Sequence, residues 1–478
     1  MIIYQEKLEE NSMNKSKIVK IIISIIYVIF SAIFMLKLNS MGVIPNKYLL
    51  LVLGVIVLLN IIASICLLVK NKWLKIITLL LYLVLTIGYI IGIIYADKTN
   101  EFLDKTFTNN EIESIQINYL LLSKKNYSDK DLYNKDIYYN STDDHIEEAL
   151  LKLNKEITAN MKDLKDISKI YEKGIFFITE FTYNELQENY DINPNDYKIL
   201  KKIELEFKVE KEEIDKEKKD SYNIYLAAKD FSNNRIDLNK IITVNTKTKE
   251  ILITNVNRFS YLEIEGRGKN RLSSTGYYGV QYNKKAIEQA LGIEIDYYFS
   301  VETSGFVELV DAIGGIEYCS DVAYTTTHAL VLGTYDDTKG KKLHVKKGCQ
   351  HLNGIETLTV ARERNAFSGW ITQRERNNTA IMEDILESAK KPSNITRYLK
   401  ILESMEGMYK TNIPKETIQD GIKTLLNDKW SIKNQEIDGK YGTNTILFGK
   451  DRGYVYYWDK ESVKECSKAI NDLYSKTK

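Results

Sequence analysis

Arginine is dense in one short stretch of this chain. Arg362 and Arg364 stand in A-R-E-R, and Arg374 and Arg376 in Q-R-E-R. A guanidinium is planar, always charged and forked, which suits the oxygens of phosphate. Four such groups this close repel one another unless solvent or an anion separates them. Asn353 with Glu356 three residues on is the mark of a capped helix start. That helix delivers Arg362 and Arg364 at its end, with Arg374 and Arg376 within one more short turn. A solvated basic face, with Glu363 and Glu375 as local partners, accounts for the run equally well. Further polar residues stand upstream at strand ends. Asp230 follows the strand 222–228, Arg235 and Asp237 precede the strand 240–245, and Arg258 follows the strand 250–254. Open α/β sheets bind ligands just past their strand ends. Two aspartates among arginines there fit a divalent cation on carboxylates and a polyphosphate on guanidiniums, since Mg²⁺ uses one or two carboxylates plus phosphate oxygens. Taken singly, Asp230 also reads as a turn cap and Asp237 as a partner of Arg235.

The elements that must hold these residues alternate. The strands 240–245 and 250–254 are apolar at nearly every position, so both faces are covered. An amphipathic helix over 283–291 stops at Gly292, a strand follows at 296–301, and a helix over 306–313 has Ser304 as its cap and Gly314-Gly315 at its end. Strands alternating with helices predict a covered α/β sheet. Residues 97–220 read as a small α+β accessory domain without a chemical motif. It has a helix over 145–161, strands over 175–182 and 202–209, and a turn at 191–196; the charge run 210–220 is a solvated edge or linker.

Three apolar runs, 19–36, 48–69 and 76–95, fill the start of the chain. Each is long enough for a hydrocarbon core of roughly 30 Å. Lys20 can snorkel to the interface, and Asn60 is placed to bond another helix. Lys15, Lys17 and Lys20, and then Lys70, Lys72 and Lys75, flank the crossings on one side. The positive-inside rule puts that side in the cytoplasm and everything after Tyr95 outside. A net charge of +1 over 478 residues gives no electrostatic case for nucleic acid. Four scattered cysteines and four histidines make no zinc motif. Cys319 and Cys349, outside and flanking one connection, are expected to form a disulfide.

Several stretches match a known family in order. They are Y-L-A-A-K-D at 225–230, R-I-D-L-N at 235–239, I-T-V-N-T-K-T-K at 242–249, N-R-F-S-Y at 257–261, L-G-I-E-I-D-Y-Y at 291–298, L-V-D-A-I-G-G-I at 309–316, H-L-N-G at 351–354 and A-R-E-R at 361–364. The chain resembles the LytR-CpsA-Psr family, in its CpsA-like Gram-positive form with three membrane helices and an accessory domain. The resemblance implies a three-layer α/β/α domain with a mixed sheet and a lipid-holding tunnel. The implied organisation is a membrane region to residue 96, the accessory domain at 97–220, the catalytic-type domain at 221–391 and a C-terminal extension at 392–478 packing on it. The implied activity moves a glycopolymer from undecaprenyl pyrophosphate to peptidoglycan at the outer face of the cell membrane, with Mg²⁺ or Mn²⁺. Carried over by position, Asp230 and Asp237 hold the metal, Arg235, Arg258, Arg362, Arg364 and Arg374 hold the pyrophosphate, and Asp237 and Arg258 are the catalytic pair.

The departures from the family pattern are acidic. Asn257-Arg258-Phe259 stands where Pro-Arg-Asp is usual, a second expected Asp falls on Ile371 or Gln373, and Asn270-Arg271-Leu272 replaces Asp-Lys-Leu. Two functions therefore stay open: a phosphotransferase, and a lipid-pyrophosphate-binding regulatory protein with weakened or no catalysis. The topology above argues against a third reading, a DNA-binding protein.

Overall fold

The computed structural model describes all residues except 1, 70, 108–113, 142, 144, 165–166, 190–192, 209–218, 231–234, 266–267, 332–339, 364–365, 367–369, 390–406, 445–453 and 477–478. The chain forms two compact units. One holds Met1–Asn109, Leu386–Glu406 and Ile413–Trp430; the other holds Asn110–Ile385, Gly407–Asn412 and Ser431–Lys478.

The first unit is built on α1 (Ile2–Ser40), α2 (Asn46–Leu68) and α3 (Lys72–Phe107), with three spans long and apolar enough to cross a membrane. α3 runs well past Tyr95, where the apolar run ends. Ala96, Phe102 and Leu103 are buried and carry one apolar stripe onward among polar neighbours, so burial on one face sustains the helix. Small and polar groups hold the bundle together. Asn60 Nδ2 donates to Ser31 Oγ at 3.1 Å, Ser31 Oγ donates to the Tyr27 carbonyl at 2.9 Å, and the Tyr27 and Tyr82 rings stack at 3.8 Å. Asn60 thus bonds another helix, as its depth predicts. A later helix, Lys415–Asn427, is tied to this bundle at both ends and in its middle. Lys415 pairs with Asp104 at 2.5 Å, Gln419 donates to the Met41 carbonyl at 2.8 Å, and Lys47 donates to the Asn427 carbonyl at 3.0 Å.

The second unit begins with a five-stranded sheet in the order β3-β2-β4-β1-β5. Its elements are β1 (Ser114–Ser123), β2 (Asp136–Tyr139), α4 (Ile146–Glu156), β3 (Asn160–Asp163), β4 (Ile175–Thr179), α5 (Glu180–Asn189) and β5 (Lys198–Lys208). Three sequence expectations change here. The helix ends at Glu156, because Ile157 turns extended and feeds β3. The strand expected to Thr182 stops at Thr179, whose Oγ1 accepts the Thr182 N–H at 3.0 Å and opens α5. The turn around 191–196 appears as a short helical turn at Pro194–Asp196, its first part lying outside the described residues. The run 210–220 falls almost wholly outside them.

The larger sheet has the order β16-β11-β6-β7-β8-β17. In chain order come β6 (Ser221–Lys229), β7 (Ile236–Asn245), β8 (Glu250–Val256), β9 (Tyr261–Ile264), β10 (Gly268–Arg271), α6 (Val280–Leu291), β11 (Tyr297–Val301) and α7 (Thr303–Ala312). They are followed by β12 (Ile316–Ser320), β13 (Tyr324–Ala329), β14 (Lys342–Val345), β15 (Gly348–Leu352), α8 (Gly354–Arg362), α9 (Trp370–Ala389), β16 (Tyr409–Thr411), β17 (Ser431–Glu436), β18 (Gly439–Thr443), β19 (Tyr454–Trp458) and a final helix, Lys460–Ser475. β6, β7 and β8 are antiparallel, while β11 runs parallel to β6 and β17 parallel to β8, so the sheet is mixed. Tyr225, Ala227, Ile241 and Leu252 face one layer of helices, packing with Ala286, Ile287, Cys466 and Ile470. On the opposite face Lys240 and Asn255 bond Thr379 of α9, and α8 packs closely on α7.

Gly292 takes the left-handed conformation, φ 62°, that closes α6 where the sequence ends it. α7 starts at Thr303 rather than near Phe306, so Ser304 lies in its first turn instead of capping it; Glu302 occupies the cap position. Arg374 and Arg376 sit in the long helix α9 instead of a short turn. Asp237 is inside β7 and does not precede it.

Cys319 and Cys349 face each other across the β12–β15 ladder and are joined in a disulfide. With a sequence separation of 30, the bridge should contribute about 3–4 kcal/mol by restricting the unfolded chain. A Cys319→Ser/Cys349→Ser protein should lose that much in denaturant unfolding, and wild type in reductant should lose the same.

Candidate functional site

β7 and β8 carry the site outward from the sheet. Where β6 gives way to β7, the Asp230 N–H donates to the Arg235 carbonyl at 2.9 Å, and the Arg235 N–H reaches Asp230 Oδ1 at 3.3 Å. This pairing sets Asp230 beside Arg235, with Asp237 two residues further along the same strand. After β8, Asn257 forms a side-chain turn: its Oδ1 accepts the Phe259 N–H at 2.9 Å, and its carbonyl accepts the Ser260 N–H at 3.0 Å. Arg258 sits in that turn, its carbonyl fixed by the Ser273 N–H at 2.8 Å.

α8 supplies the other side. The capping box is complete, with Asn353 Oδ1 accepting the Glu356 N–H and Glu356 Oε2 accepting the Asn353 N–H, each at 3.0 Å. Gly354 donates its N–H to Asp311 Oδ1 at 2.6 Å, and a Cβ there would fall 2.3 Å from the Val307 carbonyl oxygen. Only glycine lets α8 approach α7 this closely. Arg362 ends the helix. Glu363 follows, fully buried, and ties the exit turn to β13: its carboxylate accepts the Thr327 N–H at 2.6 Å, the Thr327 hydroxyl at 2.9 Å and the Ala366 N–H at 3.0 Å. Glu363→Ala should leave that N–H without its acceptor and cost about 1–3 kcal/mol. Glu363→Gln, which keeps one oxygen, should lose less in the same thermal melt.

The centre of the site is Asp237. Arg258 pairs with its Oδ1, and Arg374 donates to its Oδ2 at 3.1 Å. Arg374 Nε also reaches the Ala361 carbonyl at 3.3 Å, next to Arg362. The Arg258 and Arg374 side chains are only 13% and 8% exposed. Burial pulls the Arg258 guanidinium below its ordinary pKa; Asp237 raises it again, and Arg374, Arg235 and Arg271 push it further down. These four arginines therefore share one field around one carboxylate. The Arg258 Nε is buried without a hydrogen-bond acceptor, and its guanidinium stacks on the Phe259 ring at 4.6 Å. Phe259 stands where an acid is usual, so a neutral ring faces the cation and the cluster keeps its positive excess.

Of the residues singled out from sequence, Arg258, Arg374 and Asp237 meet directly, and Asp230 and Arg235 lie at the adjoining strand ends. Arg362 is at the end of α8, beside the carbonyl that holds Arg374, and Arg364 lies outside the described residues. Arg376 is exposed. Two residues apart on a helix is a turn of about 200°, so Arg374 and Arg376 point to opposite sides. Arg271, 6% exposed at the end of β10, was not anticipated; its only signal was its place in the stretch where the family pattern has Asp-Lys-Leu. Lys240 is also buried under the site, donating to Asn255 Oδ1 and to Thr379 Oγ1 of α9, the latter at 3.3 Å.

For a divalent ion the donor set is small. Among the described residues no three of His, Cys, Asp and Glu gather. Asp230 and Asp237 are the carboxylates at this end of the sheet. A pair of this kind fits Mg²⁺ when substrate oxygens fill the remaining positions.

The LytR_cpsA_psr family model matches residues 188–472, more than half of the chain. The chain belongs to the LytR-CpsA-Psr family. All the site residues above fall inside the LytR-CpsA-Psr match, and α1, α2 and α3 lie before it. Among similar curated proteins, the polyisoprenyl-teichoic acid–peptidoglycan teichoic acid transferase TagU of Bacillus cereus is 26% identical over 261 residues, covering 53% of this chain and 79% of that protein. TagU of Bacillus cereus strain AH820 is 28% identical over 204 residues, covering 42% of this chain and 62% of that protein. The transferase TagT of Bacillus subtilis strain 168 is 25% identical over 244 residues, covering 50% and 70%. Among solved structures, B. subtilis TagV is 21% identical with a TM-score of 0.46 and covers 55% of this chain and all of that one. TagT bound to LIIa-WTA is 23% identical with a TM-score of 0.44 and covers 54% and 92%.

Proposed function

We propose that this protein is a membrane-anchored phosphotransferase of the cell envelope, moving a glycopolymer from a polyprenyl pyrophosphate carrier onto peptidoglycan. The observation that carries this is the pairing of Arg258 and Arg374 with the two oxygens of Asp237, with Arg235 and Arg271 in the same electrostatic field. Buried guanidiniums in excess over acid favour a multiply charged anion, and pyrophosphate is one. The names of the family relatives, which specify polyisoprenyl-linked teichoic acid and peptidoglycan, support both the donor and the acceptor.

In this reading a peptidoglycan hydroxyl attacks the phosphorus that bears the glycopolymer. A new P–O bond forms, the pyrophosphate P–O bond breaks, and polyprenyl phosphate leaves with the bonding pair. Arg258 and Arg374 turn from Asp237 to the phosphate oxygens and stabilise charge building on the leaving group. Asp237, freed from its arginines, is the best candidate among these residues to take the hydroxyl proton, through whichever oxygen a metal leaves open. Arg235 and Arg362 extend the anion site. Asp230 and Asp237 are the residues that would hold Mg²⁺ or Mn²⁺, which when bound shares the negative charge of the pyrophosphate. In this reading the positive-inside rule sets the basic ends at Lys20 and Lys75 in the cytoplasm and the folded regions outside, where peptidoglycan lies.

The full chain in detergent, given a prenyl-pyrophosphate-linked glycopolymer, peptidoglycan and Mg²⁺, should release prenyl phosphate in step with polymer attachment. A second reading, a regulatory protein that binds the carrier without transfer, is favoured by Phe259 in the place of an acid. Binding of the carrier with no release would establish it and remove the enzyme reading.

A further inference from the structure

The membrane bundle holds a groove that the transfer chemistry does not use. It lies between α1 and α2 at the lysine-bearing end, has a volume of about 290 Å³, and is lined by Lys20, Ile21, Ser24, Ile25, Ser64 and Leu68 among others. Its walls are almost wholly apolar: Ile21, Ile25 and Leu68 are each about half exposed on the outside of the bundle. The polar groups gather toward one end. Lys20 is at the mouth, and Ser24 is one helical turn, about 6 Å, deeper, with Ser64 across from it on α2. The mouth is more basic than Lys20 alone makes it. Lys75, at the start of α3, lies within direct electrostatic reach of Lys20, and Lys72 adds to the same field.

We propose that this groove binds one anionic glycerophospholipid of the leaflet at the lysine-bearing end. An apolar slot open along the bundle takes an acyl chain. Lys20 and Lys75, both partly buried, repel each other, and a lipid phosphate beside them turns that repulsion into attraction to each. Basic pockets between membrane helices bind anionic headgroups on this principle. The slot itself is lined by α1 and α2, and Lys75 of α3 adds its charge at the mouth.

The test uses the full chain purified in neutral detergent, with lipid binding followed by native mass spectrometry. Phosphatidylglycerol should bind as a single lipid about 25-fold more tightly than phosphatidylcholine, from about fivefold per lysine. Lys20→Gln/Lys75→Gln should reduce this preference to a few-fold at most. Lys20→Arg/Lys75→Arg, which keeps both charges, should retain it and controls for a folding defect. Inorganic phosphate should not displace the lipid, because the acyl chain supplies part of the affinity. Equal binding of the two lipids by wild type would overturn the proposal without recourse to any variant. So would a preference that survives the double Gln change. Displacement of phosphatidylglycerol by an equal or lower concentration of polyprenyl phosphate would assign the groove to a carrier lipid instead.

Discussion

Arg258→Ala should lower the rate of glycopolymer transfer about 10²–10³-fold, the usual loss when one preorganised donor to a developing oxyanion is removed. Arg258 is the residue in the cluster with the strongest geometric claim. It pairs with Asp237, lies in the field of three other arginines, keeps one buried Nε without an acceptor, and is braced by the Phe259 ring. A phosphate oxygen would meet a donor already desolvated and aimed. Arg258→Lys should recover little, because a lysine offers a point charge without the fork and stacks less well on the ring. Carrier binding should weaken less than turnover, since Arg235, Arg271 and Arg374 remain; a fall in kcat larger than the rise in KM is the expected signature. An Arg258→Ala protein that transfers at the wild-type rate would remove this residue from the chemistry.

Much of the scaffold around Arg258 was legible in the sequence, for local reasons. The capping box at Asn353 and Glu356 acts within one turn, so residue type and spacing specify it. Gly292 ends α6 because its left-handed backbone suits glycine. The apolar runs of β7 and β8 followed from strands covered on both faces. What stayed hidden depends on contacts far apart in the chain. Arg271 enters the site because the β9–β10 hairpin folds it back toward Arg258, and no periodicity marks it. Phe259 reads from the sequence as a lost acid; only the folded turn makes it a stacking partner for the neighbouring guanidinium. Q-R-E-R-N-N at the start of α9 reads as a turn because all six residues are polar, yet Arg374, Asn377 and Asn378 are buried in the fold. Its helical continuation is held from the side by Arg374 on Asp237 and by Thr379 on Lys240 and Asn255. The anion site is thus an arrangement of tertiary contacts hung on locally encoded ends.

The same arrangement sets how a metal should behave. Without substrate, both oxygens of Asp237 are engaged, one by Arg258 and the other by Arg374. A divalent ion would have to displace two guanidiniums from a half-buried carboxylate, and Asp230 alone offers little compensation. Mg²⁺ titrated into the full chain in detergent should therefore give little heat. A prenyl pyrophosphate changes the balance, because its oxygens draw the arginines away and present further ligands of their own. Mg²⁺ affinity should then rise at least tenfold, within the usual range of coupling between two sites. By reciprocity, Mg²⁺ should tighten lipid binding by the same factor. Asp237→Ala should abolish the second metal signal. It should leave lipid binding in the absence of Mg²⁺ as strong as in wild type or stronger, because Arg258 and Arg374 lose the carboxylate that competes with phosphate for them. Asp230→Ala should weaken the metal signal without this gain, since Asp230 accepts the Arg235 backbone N–H and the paired carboxylate of Asp237 remains. Equal Mg²⁺ affinity with and without the lipid would sink this coupling. A lipid affinity that falls on removal of Asp237 would mean that the carboxylate orders the arginines for the anion and does not compete with it.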